Sequence, residues 1–312
     1  MNNFKENKHI SVLKKESVDS LDIKPGKIYV DLTLGAGGHS FEILSRAKNI
    51  VLVVLDIDKV SIESFKNRLV LEGFELKVNK YVHEPTKNIV YVANKNFVDI
   101  DLVLNDFGIN KVNGILADLG WSLDQLDSIE GLSYEKLDNR LDMRFDKSKS
   151  LEAKHFLQFA KKDQLKEIFI NYGDLDRNWK YLIQLVNFVL KNRNHTQYMF
   201  VKDLVNTINL IKFRSTEEKN NFTARVFQAL RIAVNDELNN LEVMMNKALN
   251  ILDSLGVLSV ITFHSGEQKI VNKVVKNTKH KILLNTIRPS VDELKINLKA
   301  RSAKLNIIKK LL

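Results

Sequence analysis

Three of the 12 glycines in this 312-residue chain, Gly35, Gly37 and Gly38, lie within four positions of one another. The β-branched and aromatic run at 27–31 precedes them and predicts a strand. Helix formers follow at 40–47. A glycine-rich turn between a strand and a helix lets a ligand approach the backbone and the free N–H groups of the helix. The turn therefore predicts a ligand site, with a tight turn that binds nothing as the alternative.

The next apolar run, at 50–55, ends in Asp56 and is typical of a strand buried on both faces of a parallel sheet. A helix is predicted at 61–71, so the chain begins as a doubly wound α/β domain. Asp56 lies 19 residues after Gly37, and an acid about 20 residues after such a glycine turn commonly binds a ribose hydroxyl pair. Together these features indicate an adenosine-containing cofactor, and both NAD and S-adenosylmethionine fit.

Two further buried strands are predicted at 114–118 and 256–263, with about 137 residues between them. A crossover between parallel strands needs only a dozen residues or more. The excess predicts an inserted helical domain at 128–214, within a core formed by 1–127 and 215–312.

Apolar residues recur at helical spacing over 151–172 and 179–190. From 221 to 252 they form one stripe with spacings of 3, 4, 4, 3, 4, 4 and 3 residues, which predicts a single helix. A last strand is predicted at 304–308.

Asp118 and His264 directly follow predicted strands, so both are expected at the carboxyl edge of the sheet, where open α/β sheets bind ligands. An acid at that edge can accept a hydrogen bond from an amino group. His264 is either functional or structural, and Trp121 either stacks on a base or belongs to the core.

The chain has no cysteine, which excludes disulfides, cysteine-ligated metals and a cysteine nucleophile. No apolar run is long enough for a membrane helix, and the polar N-terminus has no signal-peptide core, so we expect a cytoplasmic protein. The net charge of +10 favours a polyanionic partner, although lysines also serve solubility.

The residues resemble a known family, the bacterial cytosine N4-methyltransferases of small-subunit ribosomal RNA, of the RsmH or MraW type. Residues 31–40 match the D-x-T-x-G-x-G-G-H-S block at every fixed position. The family's other blocks recur in order at 9–13, 56–58, 96–97, 118–127, 141–144, 227–232, 263–265 and 300–305. The resemblance covers nearly the whole chain. It implies a Rossmann-like class I S-adenosylmethionine-dependent methyltransferase sheet with an inserted helical substrate-recognition domain.

The resemblance also implies the site. The backbone of the glycine turn would contact the methionine part of S-adenosylmethionine, Asp56 the ribose hydroxyls, and Phe97 the adenine. The implied cofactor contacts are Gly37, Gly38, His39, Asp56, Phe97, Asp118 and Gln125.

The N4 amine of cytosine is a poor nucleophile because its lone pair is delocalised into the ring. An acceptor for the amino hydrogens helps to localise that pair, and in-line positioning lowers the entropic barrier. We predict Asp118 as this acceptor and His264 as a further proton acceptor. Methylation at C5 of a pyrimidine would instead need a cysteine, which the chain lacks.

The implied partner is 16S ribosomal RNA in an assembled or nearly assembled small subunit, whose target base must be splayed into the pocket. Asp142, Arg144, Arg231 and Arg301 are predicted to bind this substrate. For the arginines, the alternatives are solvated surface positions and internal ion pairs. Asp142 and Arg144 are expected to order the insert over the pocket.

The chain departs from the family pattern at Trp121, Leu123, Gly266 and Leu298. Because of these departures, a basic RNA-binding factor without enzymatic activity is one alternative function. An NAD-dependent oxidoreductase is a second alternative, against which the G-x-G-G spacing and the absence of a second nucleotide-binding half count. Titration with S-adenosylmethionine and with NAD separates the three functions, because a methyltransferase binds the first, an oxidoreductase the second and an inactive RNA-binding factor neither.

Overall fold

The computed structural model describes residues 11–120, 129–175 and 180–312. The predictions for Trp121, Leu123 and Gln125 lie outside the described residues. The chain divides into two compact units. Met1–Ser122 and Asn240–Leu312 form the first, here called the core unit, and Leu123–Asn239 form the second, here called the inserted unit.

The core unit contains a nine-stranded sheet with the order β3-β4-β5-β2-β1-β6-β7-β9-β8. Its strands are β1 (Ile28–Asp31), β2 (Val51–Asp56), β3 (Glu75–Lys77), β4 (Lys80–His83), β5 (Asn88–Asn94), β6 (Val112–Asp118), β7 (Leu252–Thr262), β8 (Ile282–Ile287) and β9 (Lys304–Lys310). The five central strands, from β5 to β7, are parallel, and the strands outside them pair antiparallel.

Strand β1 lies at the centre of this sheet, where Val30 pairs with Val53 of β2 on one side and with Ile115 of β6 on the other. The chain runs from β1 outward through β2 to β5 and then returns to β6 on the opposite side. The strand order therefore reverses between β1 and β6, and this topological switch point is the usual ligand site of such sheets. The predicted doubly wound α/β fold is confirmed.

The sheet is covered on both faces. Along β2, Leu52 and Val54 pack in one buried cluster, with the helices before and after β2. Val53 and Leu55 pack in another cluster, with helices that precede β6 and flank β7. Both faces of β2 are buried, so its sequence is a continuous apolar run rather than an alternating one.

The α-helices of the described residues are Lys14–Ser20, Gly38–Arg46, Lys59–Leu71, Ile100–Asp106, Ala153–Phe159, Lys162–Gly173, Lys180–Asn192, Val201–Asn209, Thr216–Asn235, Glu237–Ile251, Ser265–Asn277 and Val291–Ile296. None of them is both long and apolar enough to span a membrane.

One predicted helix is interrupted. The expected helix at 221–252 breaks at Asp236, whose left-handed backbone (φ 55°) separates Thr216–Asn235 from Glu237–Ile251. The apolar pattern at 151–172 corresponds to the two helices Ala153–Phe159 and Lys162–Gly173. An apolar stripe reports which side chains are buried, and it continues across a single residue that breaks the backbone hydrogen bonds.

The inserted unit ends later than the predicted boundary at 214. Its helix Thr216–Asn235 was predicted to belong to the core, but its apolar side chains pack in the inserted unit's own buried cluster. That cluster includes Leu165, Phe169, Leu185, Val186, Phe222, Val226, Phe227 and Leu230. Burial of that face assigns the helix to the inserted unit.

Candidate active site

The glycine turn joins β1 to the helix Gly38–Arg46. Gly37 caps this helix in a left-handed conformation (φ 78°), and a Cβ there would lie 2.8 Å from Cδ2 of Phe65. Gly35 is also left-handed, but a Cβ at Gly35 would meet nothing within 4 Å. Gly37 thus meets a steric requirement of the fold, whereas the backbone at Gly35 borders open space that a ligand can enter.

Asp31, at the end of β1, holds the turn and the start of the helix together. Its Oδ1 accepts from the Thr33 N–H (3.1 Å) and its Oδ2 from the Ser40 hydroxyl (2.6 Å). The carboxyl group is fully buried, and this burial raises its pKa to about 6. Sequence reasoning assigned Asp31 no role, although its position as a strand-end acid in the D-x-T-x-G block was a usable signal.

Asp56 lies at the end of β2 and reaches the same turn. Its Oδ2 accepts from the Gly35 N–H (2.8 Å) and its Oδ1 from the Asp58 N–H (2.9 Å). Burial raises the pKa of this carboxyl, which is 8% exposed. Each carboxylate oxygen has a second lone pair, so Asp56 can still accept hydrogen bonds from hydroxyl groups while it holds the turn.

Asp118 joins the end of β6 to the turn. Its N–H donates to the Thr33 hydroxyl (2.6 Å), and its Oδ2 lies 3.8 Å from Nδ1 of His39. Burial raises the pKa of the carboxyl to about 7, and the negative charges of Asp31 and Glu267 add to this rise. The side chain keeps 18% exposure. Asp118 is therefore a carboxyl that exchanges a proton near neutral pH.

His264 follows β7 and caps the helix Ser265–Asn277. Its Nδ1 accepts from the Glu267 N–H (3.4 Å), and Oε2 of Glu267 accepts from the N–H groups of Phe263 (2.6 Å) and His264 (3.3 Å). This is a capping box. Nε2 of His264 is buried 3.2 Å from Oε1 of Glu267 but makes no hydrogen bond with the described residues. The structure thus gives His264 a structural role, and its proton-acceptor role stays a prediction.

Phe97 lies beyond the carboxyl end of β5, beside β2. It begins a 3-10 turn, Phe97–Asp99, that the Asn96 side chain caps by accepting from the Val98 N–H. The Phe97 ring is half-buried against the core. Its position at the same edge as Asp56 is compatible with the predicted adenine contact.

Asp142 and Arg144 pair with each other inside the inserted unit. Nε and Nη2 of Arg144 donate to the two oxygens of Asp142 (2.7 and 3.0 Å), and Lys147 donates to Oδ2 (2.8 Å). Burial opposes ionisation, but these hydrogen bonds hold the pKa of Asp142 well below its ordinary value. The structure thus places Asp142 and Arg144 in an internal ion cluster, and their predicted contact with the substrate stays a prediction.

Arg231 has a similar internal partner, while Arg301 forms no ion pair of this kind with the residues that the structure describes. Nε and Nη2 of Arg231 donate to the two carboxylate oxygens of Glu237 (2.8 and 3.0 Å), and both side chains are 16% exposed. Arg301, in the core unit, is exposed to solvent. Of the three predicted arginine contacts, Arg301 best keeps the accessibility that a phosphate contact needs.

Comparison with known proteins agrees with the resemblance seen in the sequence. Residues 6–311 match the MraW methylase family. The chain is 36% identical to ribosomal RNA small subunit methyltransferase H of Mycoplasmopsis agalactiae, over 98% of this chain and all of that protein. It is 35% identical to the protein of the same name from Clostridium botulinum, over 98% of this chain and all of that one. An rRNA methylase structure from Streptococcus thermophilus aligns with a TM-score of 0.46 and 10% identity, over 97% of this chain and 99% of that one.

Proposed function

Because the chain belongs to the MraW methylase family, we propose that it methylates the exocyclic N4 amine of a cytidine in small-subunit (16S) ribosomal RNA. S-adenosylmethionine, when bound, supplies the methyl group as an electrophilic sulfonium. The relatives' shared name supports the ribosomal RNA substrate. The observation that carries the chemistry is the partly buried carboxyl of Asp118 at the switch point, whose pKa is raised to about 7 and whose own backbone N–H donates to the Thr33 hydroxyl in the turn after β1.

The residues at this edge fit S-adenosylmethionine. The open space beside Gly35 admits a ligand to the turn, whose backbone would hold the methionine part at Gly37, Gly38 and His39. Asp56 has lone pairs left for the ribose hydroxyls, and Phe97 lies on the same side for the adenine. Gln125 completes the predicted set.

Asp118 is proposed to accept a hydrogen bond from the N4 amine. This interaction draws the amino hydrogens toward the carboxylate and leaves the nitrogen lone pair more available for attack. When N4 forms its bond to the methyl carbon, the nitrogen becomes positively charged and must release one of its two hydrogens as a proton. A carboxyl whose pKa is about 7 is suited to accept that proton near neutral pH.

The assembled or nearly assembled small subunit is the proposed form of the substrate, in the cytoplasm. The net charge of +10 supports a polyanionic partner. We propose that the inserted unit recognises the shape of this RNA, since structured RNA is read by shape and by exposed bases.

The test is methyl transfer from labelled S-adenosylmethionine to small subunits isolated from cells that lack this protein, followed by nucleoside mass spectrometry. We expect N4-methylcytidine with the native protein and strongly reduced product with Asp118→Asn. Label in another nucleoside, or RNA binding without any transfer, would overturn the proposed function. Methyl transfer to a short oligonucleotide with the same cytidine, measured at the same salt concentration, tests whether the assembled subunit is the substrate. Equal efficiency on the oligonucleotide and on the subunit would contradict that proposal.

A further inference from the structure

One row of paired residues crosses the core unit's sheet at its carboxyl edge. Asp118 of β6 pairs with Ile261 of β7. Ile261 pairs in turn with Leu305 of β9, which pairs with Ile287 at the end of β8. Because neighbouring strands lie about 4.8 Å apart, the end of β8 is roughly 14 Å from the backbone of Asp118. The proposed acceptor and the last strand of the sheet therefore share one edge.

The other half of that edge is assigned to the cofactor. The glycine turn, Asp56 and Phe97 follow or end β1, β2 and β5, which all lie on one side of β6 in the strand order. Strands β7, β9 and β8 lie on the other side of β6. An RNA strand whose cytidine is splayed into a pocket continues past that pocket. The half of the edge that β7, β9 and β8 form is left open for it.

Three cationic side chains belong to this open half of the edge. Arg288 comes directly after β8 and, by the register of the two strands, lies opposite Lys304 at the start of β9. Arg301 lies in the 3-10 turn that leads into β9. Both arginines are exposed, and Lys304 is half-buried. Within the described part of the chain, none of the three is in an ion pair, so their charges are available to a ligand.

The acids near these cations have partners of their own. Residues 288–304 include five basic and two acidic residues, and the acids are Asp292 and Glu293. Asp292 pairs with Lys295, and Oε1 of Glu293 accepts from the N–H of Leu13 (2.7 Å). The acid in the first turn of the helix after β7 is engaged in its capping box. The open half of the edge is therefore positively charged.

We propose that Arg288, Arg301 and Lys304 bind phosphates of the ribosomal RNA beside the target cytidine, and so direct the RNA strand over β7, β9 and β8. This proposal rests on the proposed function and adds Arg288 and Lys304 to the substrate site. A guanidinium donates two parallel hydrogen bonds to a phosphate, and an ammonium acts as a point charge. Each contact releases counterions from the RNA, so its contribution to the affinity depends on salt.

Arg288→Gln tests the proposal, and Lys281→Gln is its matched control. Lys281 is also exposed and lies at the opposite end of the same strand, away from the carboxyl edge. We measure the affinity of the full-length protein for small subunits isolated from cells that lack it, across a series of salt concentrations. For Arg288→Gln we expect affinity at low salt to fall about 3- to 10-fold and the slope against log salt to decrease by about one. Lys281→Gln should change neither quantity.

A third variant separates charge from shape. Arg288→Lys keeps the positive charge and should keep the native salt slope. Unchanged affinity and slope in Arg288→Gln, an equal loss in Lys281→Gln, or a reduced slope in Arg288→Lys would overturn the proposal. Binding is measured without turnover. A native protein that binds through Arg288 but transfers no methyl group would therefore overturn the proposed function and leave this proposal standing.

Discussion

Carboxylates in the core unit and in the inserted unit have opposite surroundings. At the switch point, Asp31 and Asp56 accept from backbone N–H groups and a hydroxyl, and burial raises the pKa of both. In the inserted unit, Asp142 and Glu237 each bind an arginine through both oxygens. Their negative charge is already balanced by the protein.

We expect this difference to separate acids that can still accept a hydrogen bond from a ligand from acids whose charge is already paired with an arginine. A buried carboxylate without a guanidinium partner is costly, and such groups are concentrated at functional sites. A carboxylate that is paired with arginine stabilises its own unit and has little capacity left for a ligand. We therefore expect the family blocks at 31–40 and 141–144 to serve different purposes.

The largest expected effect is that of Asp118→Asn. The amide keeps the size of the side chain but loses the charge that draws the amino hydrogens. We expect the rate of methyl transfer at saturating cofactor to fall about 10²- to 10³-fold, with RNA affinity little changed. Single-turnover transfer and RNA binding are measured on the same preparation. A rate within a few-fold of the native protein would show that Asp118 is not the acceptor.

In the inserted unit, Asp142→Ala should lower the free energy of unfolding. It leaves Arg144 and Lys147 without their shared carboxylate, and removal of one partner from a buried pair costs about 3 kcal/mol. Denaturant unfolding followed by circular dichroism measures the change. Asp138→Ala is the matched control, because the Asp138 side chain is exposed and its pair with Lys202 lies at the surface. Equal losses in the two variants would mean that the internal cluster has no special role.

The two regions should also respond oppositely to pH. The folded pKa of Asp118, about 7, lies above its ordinary value of 3.8, so the folded state binds the proton more tightly. Stability near the turn should therefore decrease as pH rises from 4 to 7, by about 3 kcal/mol. For Asp142 the pKa is lowered, and stability should be lost as pH falls below 3.8.

Amide hydrogen exchange, corrected for the pH dependence of the intrinsic exchange rates, measures the local stability of residues 31–40 and of residues 141–147 separately. Parallel pH responses in both would remove the distinction between them.

A smaller effect is expected for the arginines. Arg301→Ala should reduce the slope of log affinity against log salt by about one, since the side chain is exposed and available to a phosphate. Arg231→Ala should leave that slope unchanged and lower stability, because Arg231 is bound to Glu237. RNA affinity is measured for both variants across a series of salt concentrations. A reduced slope in Arg231→Ala and an unchanged slope in Arg301→Ala would show that the pair of Arg231 and Glu237 opens to bind RNA.

The sequence was most informative about the centre of the sheet. Strands β1, β2 and β6 were predicted because each is buried on both faces and reads as an apolar run. The hairpin of β3 and β4 and the strand β8 were not predicted, because many of their side chains are exposed and carry no such signal. The break at Asp236 was missed because burial continues on both sides of it.

For the site, the strand-end positions of Asp56 and Asp118 could be predicted from their places after apolar runs. The partners of these side chains could not, because they depend on register between strands that are distant in the chain. The Asp56 carboxylate accepts from the Gly35 N–H across 21 residues, and the Asp118 backbone N–H donates to the Thr33 hydroxyl across 85. The ion pairs of Arg144 and Arg231 likewise depend on tertiary packing within the inserted unit.

The central claim is that an ionised Asp118 at the switch point receives the amino hydrogens of the cytidine. The most direct measurement is single-turnover methyl transfer from pH 5 to 9 at saturating cofactor, with the native protein and Asp118→Asn. We predict that the native rate rises with pH, below the point at which the carboxyl is fully ionised, and that the variant is slow with no such rise. A native rate that is independent of pH, or the same rise in Asp118→Asn, would contradict the claim.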